Sequence, residues 1–114
     1  MIDKKLTAAS SIPLILSILS HGESYGYQII KNIKRLSDGK MEWADGMLYP
    51  VLQRMERDGL IQARWEVSKK GRKRKYYSLT IKGKERLASE KEQWLSVHAI
   101  FKELWSADPQ IAIG

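Results

Sequence analysis

The spacing of the apolar residues changes at Gly59, and this change limits the possible folds more than any other feature of the chain. Before Gly59, apolar residues recur at positions i, i+3, i+4 and i+7, a spacing that predicts a helix from about Asp45 to Asp58. After it, apolar and polar residues alternate from Ile61 to Val67, which predicts a half-buried strand. The inward residues are expected to be Leu48, Val51, Leu52 and Met55 in the helix and Ile61, Ala63, Trp65 and Val67 in the strand. The 114 residues suit one domain, so helix and strand must share a core.

Two further helices are predicted before this point. Residues 6–20 are apolar around nearly the whole circumference of a helix at their C-terminal end, which predicts burial on more than one side. Ser24 can then offer its hydroxyl as the cap of a helix over about 25–36. The residues of that helix expected to face the core are Ile29, Ile33 and Leu36.

The rest of the chain is predicted to form a second strand and a long helix. Residues 75–79 alternate again, so together with the first strand they predict a hairpin. Thr80 can cap a last helix over residues 81–107. Residues 108–114 are expected to form a flexible tail.

A basic segment lies between the two strands. Six of the seven residues from Lys69 to Lys75 are Lys or Arg, and the formal net charge of the whole chain is +7, so the remainder is nearly neutral. Such a run is typical of a solvated loop, a localisation signal or an anion-binding patch. At the tip of a hairpin it favours contact with the phosphates of nucleic acid, which requires cations on a projection that can reach them.

The order of three helices, a basic hairpin and a long helix predicts a winged helix-turn-helix. The fold class is therefore expected to be mainly α with a small β-hairpin, followed by a long C-terminal dimerisation helix. Residues 1–80 would form the DNA-binding domain and residues 81–107 the dimerisation helix. The third helix would enter the major groove of double-stranded DNA, and the hairpin tip would hold the flanking backbone.

The composition argues against an enzyme. The chain has no Cys and two His, His21 and His98, and neither has the neighbours of a catalytic triad or a metal site. No Gly-rich loop precedes a helix in the way that phosphate-binding loops do. We therefore expect no catalytic residue, no metal and no cofactor. No apolar run approaches the ~18 residues of a membrane span, and no signal peptide is evident, so a cytoplasmic location without a membrane partner is expected.

Three stretches of the sequence match a known family when they are taken together. They are Tyr25-Gly26-Tyr27, the segment Leu48-Tyr49-Pro50 with its continuation to Ile61, and the run from Gly71 to Gly83. In these the chain resembles the PadR family of bacterial transcriptional regulators, within its short branch that has a single C-terminal helix. The resemblance implies a homodimeric repressor that binds palindromic operators. In some members of the family, a small molecule releases the repressor from the DNA.

The candidate DNA-binding residues lie on the outward face of the third helix and in the basic segment. They are Met47, Tyr49, Pro50, Gln53 and Arg54 in the helix and Lys70, Arg72, Lys73 and Arg74 in the hairpin. For Tyr49 an alternative is that its ring packs against the hairpin and only its hydroxyl is exposed. Met47 departs from the family, in which Ser or Thr is common at this position, because Met offers only apolar contact, for example to a thymine methyl group.

The last helix carries a stripe of large side chains that its own domain cannot cover. At 1.5 Å per residue the helix is about 40 Å long, and its distal half is dense in apolar residues. A two-fold dimer would bury them. The stripe, at positions i, i+4, i+7 and i+11, consists of Trp94, His98, Phe101 and Trp105. Two interpretations remain open: the stripe is dimer core, or it lines a pocket at the dimer axis that stacks planar aromatic or cationic small molecules.

One alternative function class remains. A winged helix can serve as a protein-interaction module without specific DNA binding. Such modules seldom need six cations on the hairpin, so the basic segment favours DNA.

Overall fold

The computed structural model describes residues 1–106, which form five α-helices and a three-stranded sheet. The helices are α1 (Lys4–Ala9), α2 (Ser11–Leu19), α3 (Gly26–Leu36), α4 (Asp45–Arg57) and α5 (Ile81–Ser106). The strands are β1 (Ser24–Tyr25), β2 (Ile61–Val67) and β3 (Lys73–Leu79), paired antiparallel in the order β1-β3-β2. The chain is thus mainly α with a small sheet, as predicted. The predictions for residues 107–114, the end of the long helix and the tail, lie outside the described residues.

The single helix predicted over residues 6–20 is wrong, because α1 and α2 are separate helices that meet at Ser10. Pro13 has no N–H to donate to the carbonyl of Ala9, so the backbone ladder loses a bond at the junction. The hydroxyls of Ser10 and Ser11 donate to carbonyls one turn back, at 2.8 and 2.9 Å. Bonds of this kind bend helices.

The role predicted for Ser24 is also wrong. Its hydroxyl donates to the side-chain oxygen of Gln28 at 2.9 Å and does not cap a helix. Ser24 belongs instead to the two-residue strand β1, where it pairs with Tyr77 of β3. The helix α3 begins at Gly26, after the extended residue Tyr25. A strand this short leaves no periodic signal in a sequence, so the third strand of the sheet was not predicted.

The hydrophobic core lies where α2, α3 and α4 meet the base of the hairpin. Its fully buried side chains are Ile15, Leu16, Ile29, Leu48, Leu52, Met55 and Ile61. The inward stripe predicted for α4 is therefore confirmed. Leu36 is an exception to the pattern predicted for α3, because it is 66% exposed. It lies at the rim of an apolar groove between α2 and α3 and not beneath it.

The hairpin of β2 and β3 forms a wing (residues 61–79) that projects beyond the helices. Tyr77 is buried at its base, whereas Trp65 is 64% exposed, and Val67 is exposed as well. The inward positions predicted for Trp65 and Val67 are wrong, because α4 covers only the start of β2. The strand β3 begins at Lys73, so three of the seven residues of the basic segment lie in a strand and the turn is shorter than predicted.

The start of α5 is tightly joined to the end of α4. The Thr80 hydroxyl accepts the N–H of Gly83 at 3.0 Å, which confirms the predicted cap, and donates to the carbonyl of Gly59 at 2.6 Å. A Cβ atom on Gly83 would overlap the carbonyl oxygen of Leu60, so only glycine allows this close approach. One turn further, Leu87 is buried. These contacts fix the direction in which α5 leaves the domain.

Beyond this root, α5 projects away from the rest of the chain. Residues 91–106 are all exposed, and the longest dimension of the molecule is 64 Å against 30 and 21 Å for the other two. Within residues 1–106, no helix combines the length and the hydropathy needed to cross a membrane. The distal half of α5 therefore presents its apolar side chains to solvent in the single chain.

Candidate nucleic-acid interface

A cleft of about 540 Å³ separates α4 from the wing, and the start of α3 forms its floor. Its lining combines aromatic rings with cations, and the residues are Tyr25, Gly26, Tyr27, Tyr49, Gln53, Trp65, Arg72, Lys73, Arg74, Lys75 and Tyr77. Five of the predicted DNA-binding residues therefore lie around one cavity. Such a lining suits nucleic acid, because the cations can contact its phosphates and the flat apolar rings can contact its sugars and bases.

The predicted residues of α4 differ in exposure. Pro50, Gln53 and Arg54 are exposed, and Gln53 faces the cleft. Met47 is half-buried and packs against the core, so less of it is available than the prediction assumed.

Tyr49 packs against the start of α3. A Cβ atom on Gly26 would overlap the hydroxyl oxygen of Tyr49, so the tyrosine ring occupies the space that a side chain at Gly26 would need. Tyr49 is nevertheless 40% exposed on the cleft. The glycine in Tyr25-Gly26-Tyr27 thus serves to seat this ring between the two helices of the helix-turn-helix.

The predicted cations of the wing surround its tip. Lys70, Arg72 and Lys73 are exposed, and Arg74 is half-buried with its guanidinium 4.5 Å from the centre of the Tyr25 ring. In the described part of the chain none of these four cations lies within ion-pair distance of a carboxylate. Their charges are therefore available to an external anion.

The outer face of the sheet carries a brace that the sequence analysis missed. Tyr25, Tyr76 and Arg64 are neighbours across the three strands. The two tyrosine rings meet edge to face at 5.4 Å, and the Arg64 guanidinium lies 4.9 Å from the Tyr76 ring. Arg64 Nε also donates to Glu23 Oε2 at 2.9 Å. The brace ties the base of the wing to the loop before α3.

The ion pair in this brace shifts the pKa of both partners. The hydrogen bond from Arg64 lowers the pKa of Glu23 below its ordinary value, and the same bond raises the pKa of Arg64. Tyrosine-rich segments on both strands were the only sequence signal of this brace. The pairing with Glu23 depends on β1, which the sequence did not reveal.

Lys75 differs from the other cations of the basic segment. Its Nζ lies 3.2 Å from Glu56 Oε1 of α4 and above the rings of Trp65 and Tyr77. Desolvation is the largest single influence and opposes the charge on Lys75, but the hydrogen bond with Glu56 and the attraction of Glu56 and Tyr77 together outweigh it, so the pKa of Lys75 is raised. The pKa of Tyr77 is also raised, mainly by burial.

The aromatic stripe of α5 lies far from this cleft. Trp94, His98, Phe101 and Trp105 are all exposed, and the rings of Phe101 and Trp105 stack at 4.9 Å with 9° between their planes. Trp94 Nε1 donates to Glu90 Oε2 at 3.3 Å. The hollow beside Trp94, of about 350 Å³, lies against the end of α1.

Within residues 1–106, no group of three or more His, Asp or Glu side chains is arranged to hold a metal ion.

Comparisons with known proteins agree with this geometry. The family described as "Transcriptional regulator PadR-like family" matches residues 15–89. A PadR-like transcriptional regulator from Bacillus cereus has a similar structure, with a TM-score of 0.81 and 30% identity, over 92% of this chain and 100% of that one. A PadR family transcription regulator from Clostridium difficile gives a TM-score of 0.73 and 31% identity, over 85% of this chain and 99% of that one. These matches confirm the predicted winged-helix fold.

A curated relative differs in length. The transcriptional regulator YqjI of Escherichia coli is 36% identical over 80 residues, which are 70% of this chain and 37% of that protein. The chain thus spans little more than a third of YqjI.

Proposed function

The chain belongs to the PadR-like family of transcriptional regulators, and from that premise we propose that it is a homodimeric repressor that binds a palindromic operator. Members of this family are DNA-binding regulators and not enzymes. The observation that carries the proposal is the cleft where unpaired cations of the wing face the exposed surface of α4. Because DNA is its proposed partner, we propose that the protein acts in the cytoplasm.

In this proposal residues 1–80 bind the DNA, and α4 is the recognition helix. Gln53 and Arg54 read base edges, since both are exposed and have side-chain hydrogen-bonding groups. The exposed part of the Tyr49 side chain, Pro50 and the exposed part of Met47 contact the DNA beside them. The wing cations that bind phosphates are Lys70, Arg72, Lys73 and Arg74.

The dimer is proposed to form through α5. Its distal half exposes Leu95, Val97, Ile100, Leu104 and the aromatic stripe, more apolar surface than a soluble monomer ordinarily leaves open. A two-fold axis would bury this surface against the same surface of a second copy and against its first helices. It would also present two α4 helices to successive major grooves, about 34 Å apart.

The stripe supports the further proposal that a planar aromatic or cationic small molecule releases the repressor. Two copies of the Trp94 ring near a dimer axis would provide a stacking platform, and a cationic dye would gain cation–π attraction. Such a ligand weakens operator binding only if it favours one spacing of the recognition helices over another. The assay is titration of planar cationic dyes, followed by Trp fluorescence in the wild type and in Trp94→Ala. Equal quenching in both would leave the stripe as dimer core.

Selection of duplexes from a randomised pool, followed by a salt titration, tests the proposed function. We expect an inverted repeat to be enriched. With four contacting cations in each of two chains, the slope of log K against log salt should approach about −7. A protein that enriches no sequence and binds with a slope near zero would instead be an interaction module.

A further inference from the structure

Lys75 lines the same cleft as Arg72 and Lys73, but it is the cation of the basic segment whose charge is paired with a carboxylate of α4. We propose that Lys75 and Glu56 form a positioning pair that sets the angle between the wing and α4, and that Lys75 is not a phosphate contact. This inference rests on the proposed function, because it concerns how the same interface discriminates between DNA sequences.

The pair joins α4 to the wing across the cleft that separates them. Lys75 Nζ lies 3.2 Å from Glu56 Oε1, and the two side chains are only 32% and 38% exposed. Among the ion pairs within residues 1–106, this is the one that joins α4 to the wing. The charge of Lys75 is therefore paired with Glu56, whereas the charges at the tip are unpaired.

Aromatic rings hold Lys75 in this direction. Trp65 is its partner across the hairpin, with the ring centre 5.9 Å from Nζ, and the ring of Tyr77 lies 5.4 Å away. Rings at these distances attract the ammonium group. Tyr77 is buried at the base of the wing, so it also fixes the end of the strand from which Lys75 extends. Trp65 is exposed, and its contact with Lys75 gives a reason for a tryptophan at that position.

The position along the strand explains why this pair would matter. Each strand residue advances about 3.3 Å, so the cations at Arg72 and Lys73 lie roughly 7–10 Å beyond Lys75. A small rotation at Lys75 therefore produces a larger displacement at the tip. Because phosphate contacts set the register of a protein on its duplex, displacing the tip would misalign Gln53 and Arg54 with their bases.

Positioning and direct contact predict opposite results for two substitutions. If Lys75 touches a phosphate, Lys75→Gln weakens all duplexes equally and reduces the salt slope by about 0.9 per chain. Glu56→Gln, which removes a nearby negative charge, would then tighten all binding. If the pair positions the wing, both substitutions lower the preference for the operator over random DNA and leave the salt slope unchanged.

The experiment measures affinity for the selected operator and for random duplex, as a function of salt, in five proteins. They are the wild type, Lys75→Gln, Glu56→Gln, the exchanged pair Glu56→Lys with Lys75→Glu, and Lys73→Gln as the contrasting phosphate contact. For Lys75→Gln and Glu56→Gln we expect the preference for the operator over random DNA to fall about tenfold, a loss comparable to one mismatched base pair. The exchanged pair should recover most of it, and Lys73→Gln should reduce the slope with the preference retained.

Several results would overturn the inference. They are a reduced salt slope in Lys75→Gln, uniformly tighter binding by Glu56→Gln, or an unchanged preference in both variants. If Lys75→Gln does not fold, Lys75→Arg replaces it, and loss of preference in this charge-conserving variant would also count against a bridging role. A wild type that shows no operator preference refutes the proposed function itself and the inference with it, while the variant comparison separates the two failures.

Discussion

The wing and the distal half of α5 differ in how many of their side chains find partners within a single chain. At the wing, aromatic rings brace Arg64 and Arg74, Glu23 pairs with Arg64, and Glu56 pairs with Lys75. Along the distal half of α5, by contrast, residues 91–106 are all exposed, including seven large hydrophobic ones. The charged side chains at the base of the wing thus find partners within one chain and its tip cations stay unpaired, whereas the distal half of α5 would be covered in the proposed dimer.

The largest effect is expected at the joint between these two regions. Gly83→Ala places a Cβ atom against the backbone carbonyl of Leu60, which cannot move aside. Overpacking of this kind should lower the free energy of unfolding by about 3 kcal/mol. Urea denaturation followed by circular dichroism measures the change.

Gly46→Ala is the matched control for this prediction. A Cβ atom on Gly46, within α4, meets nothing within 4 Å. Alanine there should raise the free energy of unfolding by about 0.5–1 kcal/mol, since it favours the helix. Similar changes in the free energy of unfolding for the two variants would show that the close approach of Gly83 to Leu60 does not hold α5 on the domain.

The next largest effect is expected in the distal half of α5. Phe101→Asp would place a charge without a partner in the proposed interface, and the dissociation constant of the dimer should rise at least about a hundredfold. Ser96→Asp adds the same charge on the opposite side of α5 and should leave the dimer intact. Sedimentation equilibrium of both variants gives the comparison. A dimer equally stable in both would remove the stripe from the interface.

At the tip of the wing, removal of cations should weaken DNA binding and leave folding unchanged. Arg72→Ala combined with Lys73→Ala removes two proposed phosphate contacts per chain, so the salt slope of a dimer should fall by about 3.6 units. Affinity for all duplexes should fall similarly, with the melting temperature unchanged. Lys4→Ala with Lys5→Ala, an exposed pair in α1, is the control. Equal slopes for the two double variants would contradict the role of the tip.

The smallest effect is expected in the brace of the wing. The pKa of Glu23 is lowered in the folded chain, so the stability from its pair with Arg64 is present above the ordinary value of 4.5 and is lost as the pH falls through the lowered pKa. The melting temperature of Glu23→Gln should therefore lie below that of the wild type at pH 7, and the two should converge once the pH falls below the lowered pKa of Glu23. A difference that persists at low pH would show that the pair does not act through charge.

The sequence predicted those elements whose pattern is local. The stripe of α4, the cap at Thr80 and the strand from Ile61 to Val67 follow from spacing and from one hydroxyl, and all three are confirmed. What escaped prediction depends on contacts between distant segments. The strand β1 exists because Ser24 and Tyr25 pair with β3, which also takes the Ser24 hydroxyl out of its predicted role.

The same distinction holds for the candidate site. The basic segment identified the tip cations because a dense run of charge can be recognised from the sequence alone. It could not show that Lys75 turns toward Glu56, since the two residues are 19 positions apart and meet only across the cleft. Alternation likewise placed Trp65 inward, but whether a strand face is buried depends on how far α4 extends over it.

Sedimentation velocity of the wild type, free and bound to the selected operator, tests most directly whether the distal half of α5 is covered by a second copy. We expect free protein at micromolar concentration to sediment as a dimer of about 26 kDa, twice the 13.1 kDa of one chain. We also expect two chains to bind each inverted repeat without a one-chain intermediate. Free protein that sediments as a folded monomer would contradict the proposed dimer, because the apolar half of α5 would then be stable in water without a partner.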